Sequence, residues 1–523
     1  MSGVLILSFS TVIVKIIGLA YKIPLMSVLG AEGMGYFNTA YEIFALLCGI
    51  STTGLPVAIS MLVSAARGRG DTAAETGIFK TSSALLLTKG ALLSLSLALL
   101  APQISSLVGN PQAYLSILAI SPSIFFCCAA GAIRGYFQGR RQMMPTAVSQ
   151  LTEALSKLVF GVSFAALATA RGASIPTAAA FAVLGVSVGS LVSAAYLLAR
   201  RCREGAPAPS KRRHGYLLPL LRISLPITLC SALVGTTRMI DMTLLMRRLT
   251  DIGVSSAEAN RIYGSYTTLA LPVFGLVPAF IPPITESLIP RLSEAVSTKN
   301  GDEARRAVSN AMRLTALVSI PASIGIAVYS RQIIGVVFSN EPEALSIAAP
   351  MLSALGAGVA LSCFITTANA VLHSYGRVLL PVAALGVGAL VKAVSAYLLI
   401  GFPEVAEMGA PISTLASNAA VLCLELAFLR RVCSKTGIAA YLPRVTLAAI
   451  TSVALSYALY APLSPRLGET PAFLLALALA VVAYFAASLI LGVVDRNDLG
   501  IFSYFSFKKE KVSTYFSFRK KKR

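Results

Sequence analysis

Apolar residues run in blocks of about twenty or more along almost the whole chain, and short polar segments separate them. About 20 apolar residues in a helix cross the hydrocarbon core of a membrane. The blocks therefore predict an all-α integral membrane protein with fourteen transmembrane helices. The approximate extents of these spans are 4–29, 36–64, 78–101, 114–137, 145–170, 177–199, 216–247, 262–290, 304–329, 345–374, 377–400, 408–430, 441–461 and 471–494.

The basic residues between the spans predict the orientation of the chain. If the N-terminus is cytoplasmic, the loops and tail on that side hold 29 Lys and Arg residues, and the opposite loops hold six. Cytoplasmic loops of membrane proteins collect Lys and Arg in this way. We therefore expect a multi-pass protein with both termini in the cytoplasm.

The composition agrees with a membrane protein and argues against a soluble, nucleic-acid-binding, disulfide-rich or metal-binding protein. Of 523 residues, 56% are hydrophobic and only 13% are charged, about half the charged fraction of a soluble protein. The net charge of +22 is explained by the loops, so we expect no nucleic-acid partner. Eight scattered cysteines without a CxxC motif, together with two histidines, indicate neither a disulfide framework nor a metal site.

Two motifs occur twice. Residues 67–87 and 298–318 share Gly-Asp-x-Ala before a span, at an offset of 231. Residues 137–157 and 374–392 share Gly-Arg, then Pro, then an intramembrane Lys, at offsets of 235 to 237. The steady offset predicts a duplicated six-helix unit whose copies run in parallel, with the substrate site between them.

The duplication divides the chain into five predicted segments. They are an N-lobe (1–199), a cytoplasmic linker (200–215), a C-lobe (216–435), two further helices (436–494) and a basic cytoplasmic tail (495–523). The tail alternates aromatic and basic residues, which predicts an anchor on anionic membrane lipids. A partner-binding role for the tail is the alternative.

Charged residues lie deep inside several spans, although a Lys at the bilayer centre costs roughly 2.5–3.5 kcal/mol. Lys15 and Lys22 are seven residues apart, so they share one face of the first span. That face either lines water or meets a compensating surface. Prolines also interrupt the spans, with five in the eighth (Pro272, Pro278, Pro282, Pro283 and Pro290), which predicts a bent helix.

Two segments carry a resemblance to a known family. GAEGMGYFNTAYEIFALLCGISTTGLPVAIS (30–60), with the basic turn RGRGD after it, and IYGSYTTLALPVFGLVPAFIPPITESLIPRLSEA (262–295) resemble the polysaccharide-flippase branch of the multidrug/oligosaccharidyl-lipid/polysaccharide exporter superfamily. The most similar subgroups are the stage V sporulation protein B-like proteins and the lipid II flippases. The resemblance covers essentially the whole chain.

The resemblance implies a monomeric flippase of the bacterial plasma membrane, without catalysis or cofactor. Two lobes would alternate access around a central cavity, and the cargo would be an undecaprenyl-pyrophosphate-linked saccharide, such as a cell-wall precursor or a polysaccharide repeat unit. Lipid II flippases carry cavity arginines on their first, second and eighth spans. Here Lys15 stands at one such position, Tyr21 at the next with Lys22 beside it, and the eighth span is neutral.

The deep charges then become candidates for binding or coupling. Lys15, Lys22, Arg238 and Lys392 are predicted to line the cavity and meet the pyrophosphate, since ammonium and guanidinium groups bind phosphate. Lys22 has a second interpretation as the partner of Glu42 on the second span.

Three acids, Glu42, Asp241 and Glu153, are candidates for coupling or for ion pairs, the last together with Lys157. Asp241 either neutralises Arg238, or binds a coupling ion, H⁺ or Na⁺, or pairs with Lys392. Glu153 and Lys157 stand four residues apart in the favourable order, which predicts a salt bridge within one helix.

Other functions remain as alternatives. A drug/cation antiporter of the same superfamily would need an acidic cavity, whereas the deep charges here are mostly basic. A membrane enzyme would need carboxylate pairs or metal ligands on a sizeable aqueous loop, which the sequence lacks. A scaffold that recruits wall or spore-cortex enzymes through its basic tail would not need transport at all.

Overall fold

The computed structural model describes residues 2–204, 215–282, 300–338, 341–377, 379–433 and 438–493, with residues 285, 292, 295 and 298 between the second and third ranges. This part of the chain is helical throughout. The helices are α1 (Ser2–Thr52), α2 (Gly54–Gly68), α3 (Thr72–Leu99), α4 (Ala101–Leu107), α5 (Tyr114–Gly139), α6 (Met144–Ala170), α7 (Ile175–Cys202), α8 (Leu217–Asp251), α9 (Ser256–Ser265), α10 (Leu271–Ala279), α11 (Gly301–Val328), α12 (Ser330–Val337), α13 (Pro342–Ser374), α14 (Leu379–Ile400), α15 (Gly409–Val432), α16 (Ile438–Leu467) and α17 (Glu469–Ile490). The predicted tail, most of the linker, Pro283 and Pro290 lie outside the described residues.

The first two predicted spans form one long helical run that turns sharply at Gly30. Gly30 has φ 66° and ψ 179°, a backbone conformation that glycine adopts without a steric penalty. A straight helix of the 51 residues in α1 would be about 76 Å long, more than twice the thickness of the hydrocarbon core. The turn therefore divides the run into two helical arms, before and after Gly30.

Thirteen helical segments of the described chain are long and apolar enough to cross a membrane. The first of them, Ser10–Gly68, contains the turn at Gly30 and counts as one segment. The all-α membrane fold is as predicted, and the exact number of fourteen spans stays a prediction.

The second predicted span is broken near its middle, between Thr52 and Gly54. Pro56 has no N–H to give the carbonyl of Thr52, so the helical ladder is interrupted there. Gly54 lies against the backbone carbonyl of Ser224 in α8, where a side chain would collide. The break thus lets the second span lie directly on α8.

The described part of the proline-rich eighth span, for which a bent helix is predicted, contains a π-turn. Tyr266–Ala270 form a π-helical segment between α9 and α10, in which the N–H of Leu271 bonds to the carbonyl of Tyr266. In the same pattern the carbonyl of Thr267 would accept the N–H of residue 272. That residue is Pro272, which has no N–H. The carbonyl of Thr267 is therefore free to accept a bond from outside the helix.

The repeated Gly-Asp motif begins a helix in both places, but the capping residue differs. Asp71 caps α3 by accepting the N–H of Ala74, at 2.8 Å. In the second copy the cap is Asn300, which accepts the N–H of Glu303, and the aligned Asp302 lies in the first turn of α11. Both residues satisfy an N–H of the first helical turn.

The helices pack in two groups that correspond to the two halves of the chain. In the N-terminal half, α7 packs on α5 and α6, while α1 packs on α5 and α6. In the C-terminal half, α14 packs on α8 and α15, and α13 packs on α11 and α15. The two last helices, α16 and α17, pack on each other; α16 also packs on α11, and α17 touches α12.

The halves meet through α1 and α2, which lie against α8 and α9. The largest apolar cluster is continuous from the N-terminal half into α8, α9 and α13. Close contact is possible because small residues face each other, and Gly35 and Gly264 lie against the backbone of Asn260 and Ala31, respectively. The predicted boundaries of the two lobes stay a prediction.

Candidate functional site

A cavity of about 570 Å³ lies between the two arms of α1, before and after Gly30, and α5, α6 and α10. Lys15 and Lys22 are among the residues that line it. Three more charged side chains, Arg134, Glu153 and Lys157, line the opposite wall. The five groups give the cavity a formal charge of +3, from four basic residues and one acid.

Lys15 is exposed, and it has no hydrogen bond or ion pair to any part of the chain that the structure describes. Its backbone position on α1 is about 10 Å of helix rise from that of Lys22. An unpaired ammonium at membrane depth is costly unless it faces water or an anion. Lys15 is therefore the cation of this cavity that is free to take up a ligand.

Glu153 is shared by two cations. Its Oε2 accepts from Nη2 of Arg134 at 2.9 Å, and its Oε1 is 2.9 Å from Nζ of Lys157. The salt bridge predicted between Glu153 and Lys157 is therefore present. The same guanidinium also donates to the hydroxyls of Ser149 and Ser193, which fixes its plane. The triad of Arg134, Glu153 and Lys157 carries one excess positive charge.

Arg134 was not among the predicted site residues, because it lies near the end of the predicted span 114–137 and was counted with the basic residues of the loop that follows. Helix α5 in fact continues to Gly139, so Arg134 lies more than a turn inside it. A signal in the sequence is the spacing from Arg134 to Arg140. Arg134 lies six residues, or about 1.7 helical turns, before Arg140, which is far enough to place it inside the helix.

Lys22 reaches across to the C-terminal half of the chain. Its Nζ donates to the carbonyl of Thr267 at 2.8 Å, which is the carbonyl that Pro272 leaves free. Next to it, Nδ2 of Asn38 donates to the hydroxyls of Thr267 and Thr268 at 2.8 and 2.9 Å. The expected Lys22–Glu42 pair is replaced by this contact.

Glu42 instead lies 4.0 Å from Nη1 of Arg238. The side chain of Arg238 is 61% exposed, so this pair is loose. Arg238 does not pair with Asp241 and is not among the described residues that line the cavity. Its predicted contact with phosphate stays a prediction.

Lys392 is buried and paired, contrary to its predicted place in the cavity. Its Nζ is 2.6 Å from Oδ2 of Asp241, and both side chains are about one-tenth exposed. The pair joins α14 to α8 inside the C-terminal half. The Asp241–Lys392 pair proposed as one alternative is thus the arrangement in the structure, and Lys392 does not line the cavity.

A second, apolar cavity of about 430 Å³ lies on the other side of α10. Its walls are almost entirely hydrocarbon and come from α10, α11, α16 and α17. Val277 of α10 faces this apolar cavity, while Gly275 and Leu276 of the same helix face the cationic one. One helix therefore separates a charged chamber from a hydrophobic groove.

Comparison with known families gives two matches that each cover more than half of the chain. The model described as polysaccharide biosynthesis protein matches residues 1–296. The model described as Lipid II flippase MurJ matches residues 149–467.

Individual relatives agree with these matches. The chain is 28% identical to the uncharacterized membrane protein YabM of Bacillus subtilis (strain 168), over 82% of this chain and 80% of that one. It is 25% identical to stage V sporulation protein B of the same organism, over 83% of this chain and 84% of that one. A solved structure of lipid II flippase MurJ in an inward closed conformation aligns with a TM-score of 0.70 at 15% identity, covering 93% of this chain and 98% of that one, and shows the shared fold.

Proposed function

The chain belongs to the polysaccharide biosynthesis and lipid II flippase families of the multidrug/oligosaccharidyl-lipid/polysaccharide exporter superfamily, and we propose that it flips a polyprenyl-pyrophosphate-linked saccharide between the leaflets of the plasma membrane. The direction would be from the inner to the outer leaflet, with both termini cytoplasmic. No covalent step is needed, because the cargo leaves as it enters.

The observation that carries this proposal is the charge of the chamber. A pyrophosphate that leaves water needs cations, and a net charge of +3 supplies them at membrane depth. Lys15 has no competing partner in the described chain, so it is the first contact that we assign to the cargo. We assign Lys157 and Arg134 as further contacts for the cargo, because the single charge of Glu153 neutralises only one of these two cations.

The apolar groove beyond α10 supports a lipid cargo. A saccharide cannot occupy a groove lined by hydrocarbon side chains such as Leu317, Phe473 and Leu477. A polyprenyl chain can, and its head group would then lie on the other side of α10 in the cationic chamber. The two cavities together thus match the two ends of one amphipathic molecule.

The same charge speaks against a drug/cation antiporter, the alternative within this superfamily. An organic cation would be repelled by four basic groups that have a single acid among them. A scaffold function through the basic tail concerns residues outside the described chain. Deletion of residues 500–523 with retained transport would separate the two roles.

Reconstitution of the full chain into liposomes tests the proposal. The probe is undecaprenyl diphosphate linked to N-acetylglucosamine with a fluorescent label on the sugar, and chemical quenching from outside reports the exposed fraction. We expect Lys15→Ala to slow flipping about tenfold or more, the loss of one charged hydrogen bond. Lys80→Ala is the matched control, because Lys80 is an exposed residue that does not line the cavity.

Two results would overturn the proposal. One is a wild-type protein that does not flip this probe while a simple organic cation is exchanged. The other is a Lys15→Ala variant that flips the probe at the wild-type rate.

A further inference from the structure

Lys22 belongs both to the cavity lining and to the contact between the two halves. It lines the cationic cavity of the N-terminal half, and it bonds to the backbone of α9–α10 in the C-terminal half. Together with Asn38 it forms what we term the outer contact, the hydrogen bonds from Lys22 and Asn38 to Thr267 and Thr268. The name refers to the predicted outer end of these helices.

The outer contact belongs to a larger polar junction between the halves. Asn110 and Asn260 exchange amide hydrogen bonds of 2.7 and 3.2 Å, and Asn110 also donates to Thr39 at 3.0 Å. All of these amides are buried, so separating the halves here exposes or leaves unpaired several polar groups. The junction therefore holds the halves together at this end.

We infer that Lys22 makes this junction sensitive to cargo, because a phosphate in the chamber competes with the Thr267 carbonyl for the Lys22 ammonium. The inference rests on the proposed function. A carbonyl offers only a dipole, whereas a phosphate adds opposite charge at the same distance. When Lys22 turns to the cargo, the outer contact loses its charged member and the halves separate more readily.

The π-turn is the structural reason for this sensitivity. In a regular helix the Thr267 carbonyl would already accept an N–H of its own helix. Breaking the bond from Lys22 would then leave that carbonyl paired. Here Pro272 provides no N–H, so the bond from Lys22 is the partner that the structure supplies. An empty transporter consequently keeps this end closed, and a loaded one does not. Cargo binding is coupled to opening in this way without a separate ion.

The experiment measures the distance between the halves at this end. Spin labels are placed at Ser106 in α4 and Ala257 in α9, both exposed, in a full-length chain freed of its native cysteines and shown to transport. Distances are recorded in lipid nanodiscs with and without farnesyl diphosphate as the probe, and with farnesol as the uncharged control. We expect the probe, and not farnesol, to raise the separated population roughly tenfold, the equivalent of one charged hydrogen bond.

Substitutions distinguish the role of Lys22 from general loosening. Lys22→Met is expected to raise the separated population without probe and to abolish the response to it, while Lys22→Arg restores the response. Asn38→Ala removes the uncharged part of the outer contact and does not touch the cavity, so it should open the end yet still respond to the probe. The matched control is Lys89→Met, because Nζ of Lys89 also donates to a backbone carbonyl, that of Ile50 at 3.0 Å, but within the N-terminal half.

The outcomes separate the two claims. If labelled farnesyl diphosphate does not bind the protein at all, the proposed function fails, and this inference fails with it. If the probe binds but the distance is unchanged, or if Lys22→Met responds as wild type does, the role of Lys22 is wrong while the proposed function stands.

Discussion

The two halves of the molecule each place a lysine at the same position of the predicted repeat, Lys157 in α6 and Lys392 in α14, but they surround it differently. In the N-terminal half the acid comes from the same helix, and Arg134 shares it, so the group keeps one excess positive charge. In the C-terminal half the acid, Asp241, comes from a neighbouring helix, and the pair is neutral.

The difference shows how the two copies of a duplicated unit can use the equivalent lysine for different roles. An acid on the lysine's own helix leaves the ammonium at the surface of that helix, where it lines the cavity. An acid from another helix draws the ammonium into the packing between helices, where it joins α14 to α8. The first arrangement offers charge to a ligand, and the second holds two helices together.

The largest expected effect comes from removing the acid that the two cations share. Glu153→Gln leaves Arg134 and Lys157 next to each other in a mostly buried site without a counter-charge. Breaking a buried pair in this way costs about 3–5 kcal/mol. The free energy of unfolding, measured by titration of the purified protein with SDS in mixed micelles, should fall by that amount.

The control for this substitution is Glu258→Gln in α9. Glu258 pairs with Arg261 at 3.5 Å, but both side chains are about 40% exposed. Such a surface pair contributes about 1 kcal/mol or less. Equal losses in the two variants would mean that the triad is no more buried or coupled than a surface pair.

A double substitution tests the neutral pair of the C-terminal half. Lys392→Met alone leaves Asp241 buried and uncompensated, and should cost about 3 kcal/mol of stability. Adding Asp241→Leu removes the remaining charge, and we expect the double variant to recover to within about 1 kcal/mol of the parent, because apolar residues replace buried pairs at little cost. Transport by the double variant should be near normal.

The transport measurement also decides between two roles of Asp241. If the double variant folds normally but no longer flips the probe, Asp241 takes part in coupling, which is one of the three alternatives that the sequence left open. Normal transport leaves it as a structural partner of Lys392.

The comparison also shows what the sequence could predict. The apolar blocks predicted the membrane helices, and the four-residue spacing predicted the Glu153–Lys157 bond, because both depend on the helix period alone. The Asp241–Lys392 pair was one of several alternatives, since a contact between helices depends on their packing.

Other parts of the site were beyond prediction for identifiable reasons. Arg134 was counted with the loop charges because it lies near the end of the predicted span 114–137, where a basic residue is usual and does not by itself indicate a site. The bond from Lys22 to Thr267 uses a backbone carbonyl that a π-turn sets free, and side-chain patterns carry no direct record of it. The prolines of the eighth span predicted an irregular helix, but not the contact that its irregularity permits.

The smallest expected effect concerns Arg238. This predicted site residue belongs neither to the triad of the N-terminal half nor to the Asp241–Lys392 pair. Its side chain is 61% exposed and its Nη1 is 4.0 Å from Glu42, so Arg238→Gln should change the free energy of unfolding by about 1 kcal/mol or less. Because Arg238 is not among the described lining residues of the cavity, we expect flipping to slow by less than the roughly tenfold loss for Lys15→Ala. Both variants are assayed side by side with the fluorescent probe. A loss in Arg238→Gln as large as that in Lys15→Ala would place a cargo contact in the C-terminal half and remove the division of tasks between the halves.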